Sequence, residues 1–152
     1  MAERHKPGTT DPNVPIRIVF LGGLGEIGRN CMAIEQGAAD DPDRTIILID
    51  CGLMFPEANM HGVDLILPDF TYLRENAQRI SAIVLTHGHE DHVGAIQYLL
   101  REHDGIGDLR DEPLPIYGAA LTLGLARNRI EEAGLLPKTD MRKVKDGASI
   151  EI

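Results

Sequence analysis

Apolar residues occur in short blocks separated by glycine, proline and aspartate. Ile16–Leu21 (IRIVFL) is a β-branched run that stops at Gly22-Gly23, which predicts a strand. Thr45–Asp50 (TIILID) predicts a second strand, nearly all apolar and so expected to be buried on both faces. Ser81–Thr86 (SAIVLT) predicts a third and Pro115–Tyr117 a short fourth. Asn30–Gln36 (NCMAIEQ) reads equally as strand or short helix. Helical spacing appears at Val93, Ile96, Leu99 and Leu100, which predicts an amphipathic helix over His92–His103. Asp69–Arg79 predicts a helix with Asp69 as N-cap. Ala119–Ala133 predicts another, with Leu121, Leu125 and Ile130 inward and Gly134 as its stop. Gly37–Arg44 is a turn, and Cys51–Pro68 is a long irregular stretch. Lys143–Ile152 reads as a hairpin or an opening strand, so the chain is expected to stop inside a domain. Strands and helices intermix, which gives an α/β or layered α+β class. Met1–Pro15 is polar with three prolines and reads as a disordered leader, leaving 16–152 as the folded unit.

Composition narrows this picture. Aromatic residues make up 4% of the 152 positions and tryptophan is absent, so the core must be aliphatic. Fifteen basic residues face 24 acidic ones, for a net charge of -9. Bulk charge therefore argues against binding nucleic acid or an anionic membrane, unless a metal ion supplies positive charge locally. Two cysteines, Cys31 and Cys51, are too few for a disulfide framework and read as buried free thiols in a reducing compartment. No stretch approaches the ~20 apolar residues that span a membrane, so a cytoplasmic location is expected.

The chemistry concentrates in Thr86-His87-Gly88-His89-Glu90-Asp91-His92, after a predicted strand and before a predicted helix. Imidazole and carboxylate together suit Zn²⁺. In an extended loop His87 and His89 project to one side and can grip one ion. As the chain turns into the helix, Asp91 and His92 are expected to point elsewhere and grip a second ion. A solvated turn does not need three ring nitrogens at these offsets. Glu90 has no ligand role in this reading and is expected to pair with a cation or be solvated. His5, His61 and His103 read as solvated or helix-end residues, and Arg127 and Arg129 as a solvated face that could touch phosphate.

Two rivals remain. Gly23-Leu24-Gly25-Glu26-Ile27-Gly28 is a literal G-x-G-x-x-G after a strand, and Asp50 ends a strand 22 residues on, as in a dinucleotide-binding unit. Only Arg29–Gln36 is available for its helix, which is short for a crossover. The other rival is a closed structural zinc site drawing on Cys51.

The segment His87-Gly88-His89-Glu90-Asp91-His92 resembles the signature of the metallo-β-lactamase superfamily. Leu21–Asn30 (LGGLGEIGRN), Ile49-Asp50-Cys51-Gly52, Phe55-Pro56 and Val63–Asp69 (VDLILPD) sharpen the resemblance to its RNA-hydrolysing β-CASP branch. The resemblance implies part of an αββα sandwich, here an N-terminal piece of a longer enzyme. It implies two zinc ions, one on His87 and His89 and one on Asp91 and His92, with Asp50 supporting the site by hydrogen bonding. Asp91 would also orient or deprotonate the attacking water. A structural calcium near Gly62 and Asp64 is implied too. So is hydrolysis of RNA by 5′-to-3′ exonuclease and endonuclease action in RNA maturation and decay, with preference for a 5′-monophosphate end. The full enzyme would be a homo-oligomer. Later His and Asp ligands, the β-CASP insertion and the general acid are expected beyond Ile152, so these residues alone should bind zinc weakly and be nearly inactive. From the residues alone the substrate stays open, since a two-metal site serves β-lactams, thioesters or phosphodiesters.

Overall fold

The structure, a computed structural model, describes residues 13–38, 40–101 and 105–152. The expected leader falls almost wholly outside them, as do His5 and His103. Among the described residues a six-stranded mixed sheet runs in the order β1-β2-β3-β4-β5-β6. Its strands are β1 Ile16–Gly22, β2 Cys31–Gln36, β3 Thr45–Ile49, β4 Ile80–Val84, β5 Leu114–Gly118 and β6 Thr139–Lys143. The first three form an antiparallel meander, and β3 to β6 are parallel. Parallel neighbours need crossovers. Those crossovers carry α1 Thr71–Glu75, α2 Glu90–Val93, α3 Ile96–Leu100 and α4 Ala120–Glu132. No helix among these residues is long and apolar enough to cross a membrane.

Strand alternation sets the two faces of the sheet. Ala33, Ile46, Leu48, Ile83 and Ile116 form one aliphatic cluster with Leu73, Ile96, Leu99 and Ile130 of the helices. On the opposite face, Ile16, Ile18 and Phe20 are exposed and Ile47 and Ile49 are half-buried. The expectation that TIILID is buried on both faces is therefore corrected. Within these residues the helices pack against one face only, and alternate positions of β3 keep access to solvent.

Other expectations also shift. Asn30–Gln36 resolves to strand, because Met32, Ala33 and Ile34 pair with neighbours on both sides. The single helix over His92–His103 is two helices. The Ala95 N–H turns to the Cys51 carbonyl (2.9 Å) and the Asp91 carbonyl accepts the Asn30 N–H (3.0 Å), so the helical ladder opens between them. Thr122, Leu123, Ala126 and Ile130 form the buried side of α4, while Leu121 is 77% exposed. At ~100° per residue Ile130 lies about half a turn around from Leu121, so the two cannot share a face. Asp69 Oδ1 accepts the Thr71 N–H (2.9 Å), but Phe70 occupies the N-cap and the helix is shorter than expected. Gly134 does stop α4, at φ +73°. The last strand is Thr139–Lys143, upstream of the expected segment, because it docks alongside β5 through backbone bonds rather than through an apolar pattern.

One acid is buried on the packed side of the sheet. Glu35 of β2 is 1% exposed and takes hydrogen bonds from Arg17 and Tyr72, with Arg44 3.7 Å away. The Arg17 guanidinium chiefly holds its carboxyl below the usual range. Burial, and then Glu35 itself, push the Tyr72 hydroxyl up to about 12.

Candidate metal centre

The site forms where β3 and β4 end. The Asp50 N–H bonds the Val84 carbonyl (3.0 Å), and the Leu85 N–H bonds the Tyr117 carbonyl (2.8 Å), so both exits are fixed to neighbouring strands. Asp50 leaves β3 with φ +58°, a left-handed conformation that a non-glycine residue keeps only when its surroundings hold it. Its holders are plain. The buried carboxylate accepts the Thr86 N–H (2.8 Å), the Thr86 hydroxyl (2.7 Å) and His92 Nδ1 (2.7 Å).

That last bond fixes the chemistry of His92. A carboxylate only accepts, so Nδ1 carries the proton, and in the neutral ring Nε2 keeps its lone pair. Nε2 lies 3.4 Å from Asp91 Oδ2. Asn30 faces both atoms. Its Nδ2 donates to the Asp91 carbonyl (3.0 Å) and carboxylate (3.1 Å), and lies 3.2 Å from His92 Nε2. The His87 ring lies against both other imidazoles, with centroids 3.8 Å from His92 and 4.7 Å from His89. His92 therefore sits beside His87 rather than pointing to a separate place. The backbone permits this closeness only because position 52 is glycine. A Cβ at Gly52 would fall 1.7 Å from the Asp91 carbonyl oxygen.

These residues fit a metal in donor chemistry and, for one pair, in separation. Two donors on one tetrahedral ion at 2.0–2.1 Å stand about 3.3–3.4 Å apart, close to the Asp91–His92 separation of 3.4 Å. Among the described residues no group of three or more His, Cys, Asp or Glu side chains is arranged to hold an ion. Asp50 binds the ring nitrogen opposite the free lone pair, the arrangement that orients imidazole ligands in metal sites.

Glu90, between two expected ligands, pairs with Arg129 of α4. The Leu53 N–H bonds its carbonyl (3.1 Å), which ties the loop after β3 to the start of α2. A groove of about 310 Å³ beside Asp91 is lined by Ile27, Gly28, Leu53, Met54 and Phe55. Gly62 takes φ +79° in a turn and Asp64 is exposed. Cys31 and Cys51 are free and buried, and burial chiefly pushes the Cys51 thiol up, away from ligand chemistry.

The dinucleotide alternative is overturned. Gly23–Gly28 joins two antiparallel strands, and β2 begins at Cys31 with no intervening helix. Glu26 braces this loop by accepting the Gly23 N–H (3.1 Å) and the Arg29 guanidinium (2.7 Å). Those two donors, Arg29 foremost, hold its carboxyl below the usual range.

Asn30 and Thr86 are the site residues that sequence reasoning left unassigned. Thr86 stood inside the ligand segment and could have been found by its place at the strand exit. Asn30 lies 61 positions from Asp91, and only the strand pairing brings them together.

Residues 24–135 match the family described as the metallo-β-lactamase superfamily. The chain belongs to that superfamily, and its sheet with helices on one side is part of the αββα sandwich. Among curated relatives it is similar to ribonuclease J of Thermus thermophilus, 47% identical over 126 residues, which is 83% of this chain and 20% of that protein. Ribonuclease J of Synechocystis is 45% identical over 130 residues, 85% of this chain and 18% of that protein. Ribonuclease J2 of Bacillus subtilis is 42% identical over 129 residues, covering 85% and 20% respectively. The chain thus spans about a fifth of the length of these relatives.

Proposed function

We propose that this chain is the N-terminal part of a zinc-dependent, ribonuclease J-like enzyme of the β-CASP branch that hydrolyses RNA phosphodiesters. The reading includes 5′-to-3′ exonuclease action from a 5′-monophosphate end, endonuclease action, a cytoplasmic location and a homo-oligomeric full-length enzyme. The observation that carries it is the Asp50–His92–Asp91 arrangement: a buried carboxylate orients an imidazole whose free lone pair stands beside a second carboxylate. The similarity to ribonuclease J proteins supplies the substrate class.

In this reading His87 and His89 hold one zinc ion, and Asp91 and His92 hold the other, with further ligands from sequence beyond these residues. When bound, the ions supply Lewis acidity toward a phosphoryl oxygen and lower the pKa of a bound water. Asp91 would be placed to accept a proton from the attacking water or to orient it. Asp50 keeps His92 in one tautomer through the reaction, and Thr86 keeps Asp50 in place. A calcium at Gly62 and Asp64 belongs to the same reading as a structural ion.

The test uses the full-length reading frame. Zinc content is measured by elemental analysis, alongside cleavage of RNA labelled at a 5′-monophosphate or 5′-triphosphate end. The expected result is zinc-dependent degradation favouring the monophosphate, abolished in His89→Ala. A zinc-loaded protein that leaves both RNAs intact, or that hydrolyses a thioester or β-lactam instead, overturns the reading.

A further inference from the structure

Asn30 stands at the one point where the two donors with an ion-compatible separation meet. Its side-chain nitrogen is 3.1 Å from Asp91 Oδ2 and 3.2 Å from His92 Nε2. Its backbone N–H also bonds the Asp91 carbonyl (3.0 Å), and its own carbonyl accepts the Gly52 N–H (2.9 Å). The side chain is therefore held from two directions, and a Cβ placed on Gly23 would fall 2.7 Å from its Oδ1. Packing this close leaves the amide little freedom.

We infer that Asn30 is a positioning residue for the Asp91–His92 pair: its amide holds the two donors at ion-sharing separation before any cation arrives. The inference rests on the metal reading above. Its physical basis is charge and hydrogen-bonding capacity. Without a cation, a carboxylate oxygen and an imidazole lone pair 3.4 Å apart repel each other. A donor NH₂ between them, its two hydrogens shared among the Asp91 carbonyl, the Asp91 carboxylate and His92 Nε2, offsets that repulsion. When a cation takes the His92 lone pair, one N–H is released while the bond to Asp91 remains. The side chain of an asparagine has no charge, so it exerts this effect without competing electrostatically with the ion.

The test has a metal-free part and a zinc part. In ¹⁵N-labelled metal-free protein, nuclear magnetic resonance should show coupling across the hydrogen bond between Asn30 Nδ2 and His92 Nε2, and saturating zinc should abolish it. Absence of that coupling overturns the inference alone. A coupling that zinc leaves unchanged, with no zinc bound by the full-length protein, overturns the metal reading and the inference with it.

Zinc competition titrations then read the affinity of two variants. Asn30→Ala should lose about tenfold to hundredfold, the usual cost of removing a group that orients a metal ligand. Asn30→Leu keeps about the same volume and removes the donor, so it should lose to the same extent. A merely structural role moves melting temperature and leaves the zinc affinity of the folded protein unchanged. Native-like affinity in the folded variants overturns the inference. If Asn30→Ala does not fold, the near-isosteric Asn30→Leu decides by whether its zinc affinity falls.

Discussion

Two buried carboxylates, Glu35 in β2 and Asp50 just past the end of β3, are held in opposite ways. Glu35 faces two cations, Arg17, which donates to it, and Arg44 close by, and the neutral Tyr72 hydroxyl also donates to it. Its charge is neutralised inside the fold. Asp50 has no guanidinium or ammonium among its hydrogen-bond partners here, which are Thr86 and the His92 ring. Its charge is solvated by neutral dipoles and remains available to polarise the imidazole. Burial alone thus does not distinguish a structural acid from one that serves a site. The charge of the partners does.

The largest effect expected from breaking this contrast is on stability, at Glu35. Glu35→Ala leaves Arg44 buried beside an absent anion, and removing one partner of a buried pair costs about 3–5 kcal/mol. Denaturant unfolding should show the loss, and the zinc affinity of the remaining folded protein should stay native. The same acid gives the pH dependence its sign. Its carboxyl is held below the usual range in the fold, chiefly by Arg17. The stability it contributes is therefore fully present above the unfolded carboxyl pKa, about 4.3. It is lost as pH falls through the lower folded value. In Glu35→Gln the acid limb of the stability curve should flatten, and an unchanged limb would show that other carboxylates dominate.

Asp50→Asn is the second test and should divide the other way. The amide keeps the volume and can still accept the Thr86 N–H. It can no longer enforce a proton on His92 Nδ1, because an amide nitrogen donates. Zinc affinity should fall about tenfold to hundredfold, with a smaller change in unfolding free energy than at Glu35. A fall in stability as large as that of Glu35→Ala, with native zinc binding, would erase the distinction between the two acids.

The same contrast explains what the sequence could reveal. The strands at Ile16, Thr45 and Ser81 were legible because each is a local apolar run with a turn signal at its end. The histidine-rich segment after β4 stood out because its residues are adjacent, so a short window contains the pattern. Asp50 was found by resemblance, and in the fold it bonds Thr86 and His92. The Glu35 network and Asn30 were not legible, since their side-chain hydrogen-bond partners lie 18 to 62 positions away and meet only in the fold. Leu121 was misplaced for a different reason. It is apolar and shares a helix with Ile130, but the helical angle between them puts it on the outside, near the surface that α4 turns away from the core. Short-range composition marked the residues, and geometry assigned their sides.

A third acid gives the smallest and sharpest test. Glu90 lies between His89 and Asp91, as close in sequence to the expected ligands as an acid can be, yet it is paired like Glu35, with Arg129. Unlike the Glu35 network, this pair is partly open to water, with side chains 32% and 40% exposed. Screened ion pairs contribute about 0–1 kcal/mol. Arg129→Ala should therefore lower unfolding free energy by less than about 1 kcal/mol, a small fraction of the Glu35→Ala loss. It should leave zinc affinity native, because Glu90 is braced independently through its carbonyl to Leu53. If zinc binding weakens instead, the Arg129–Glu90 pair is part of what shapes the ligand loop. Partner charge would then no longer separate structural acids from those that serve the metal.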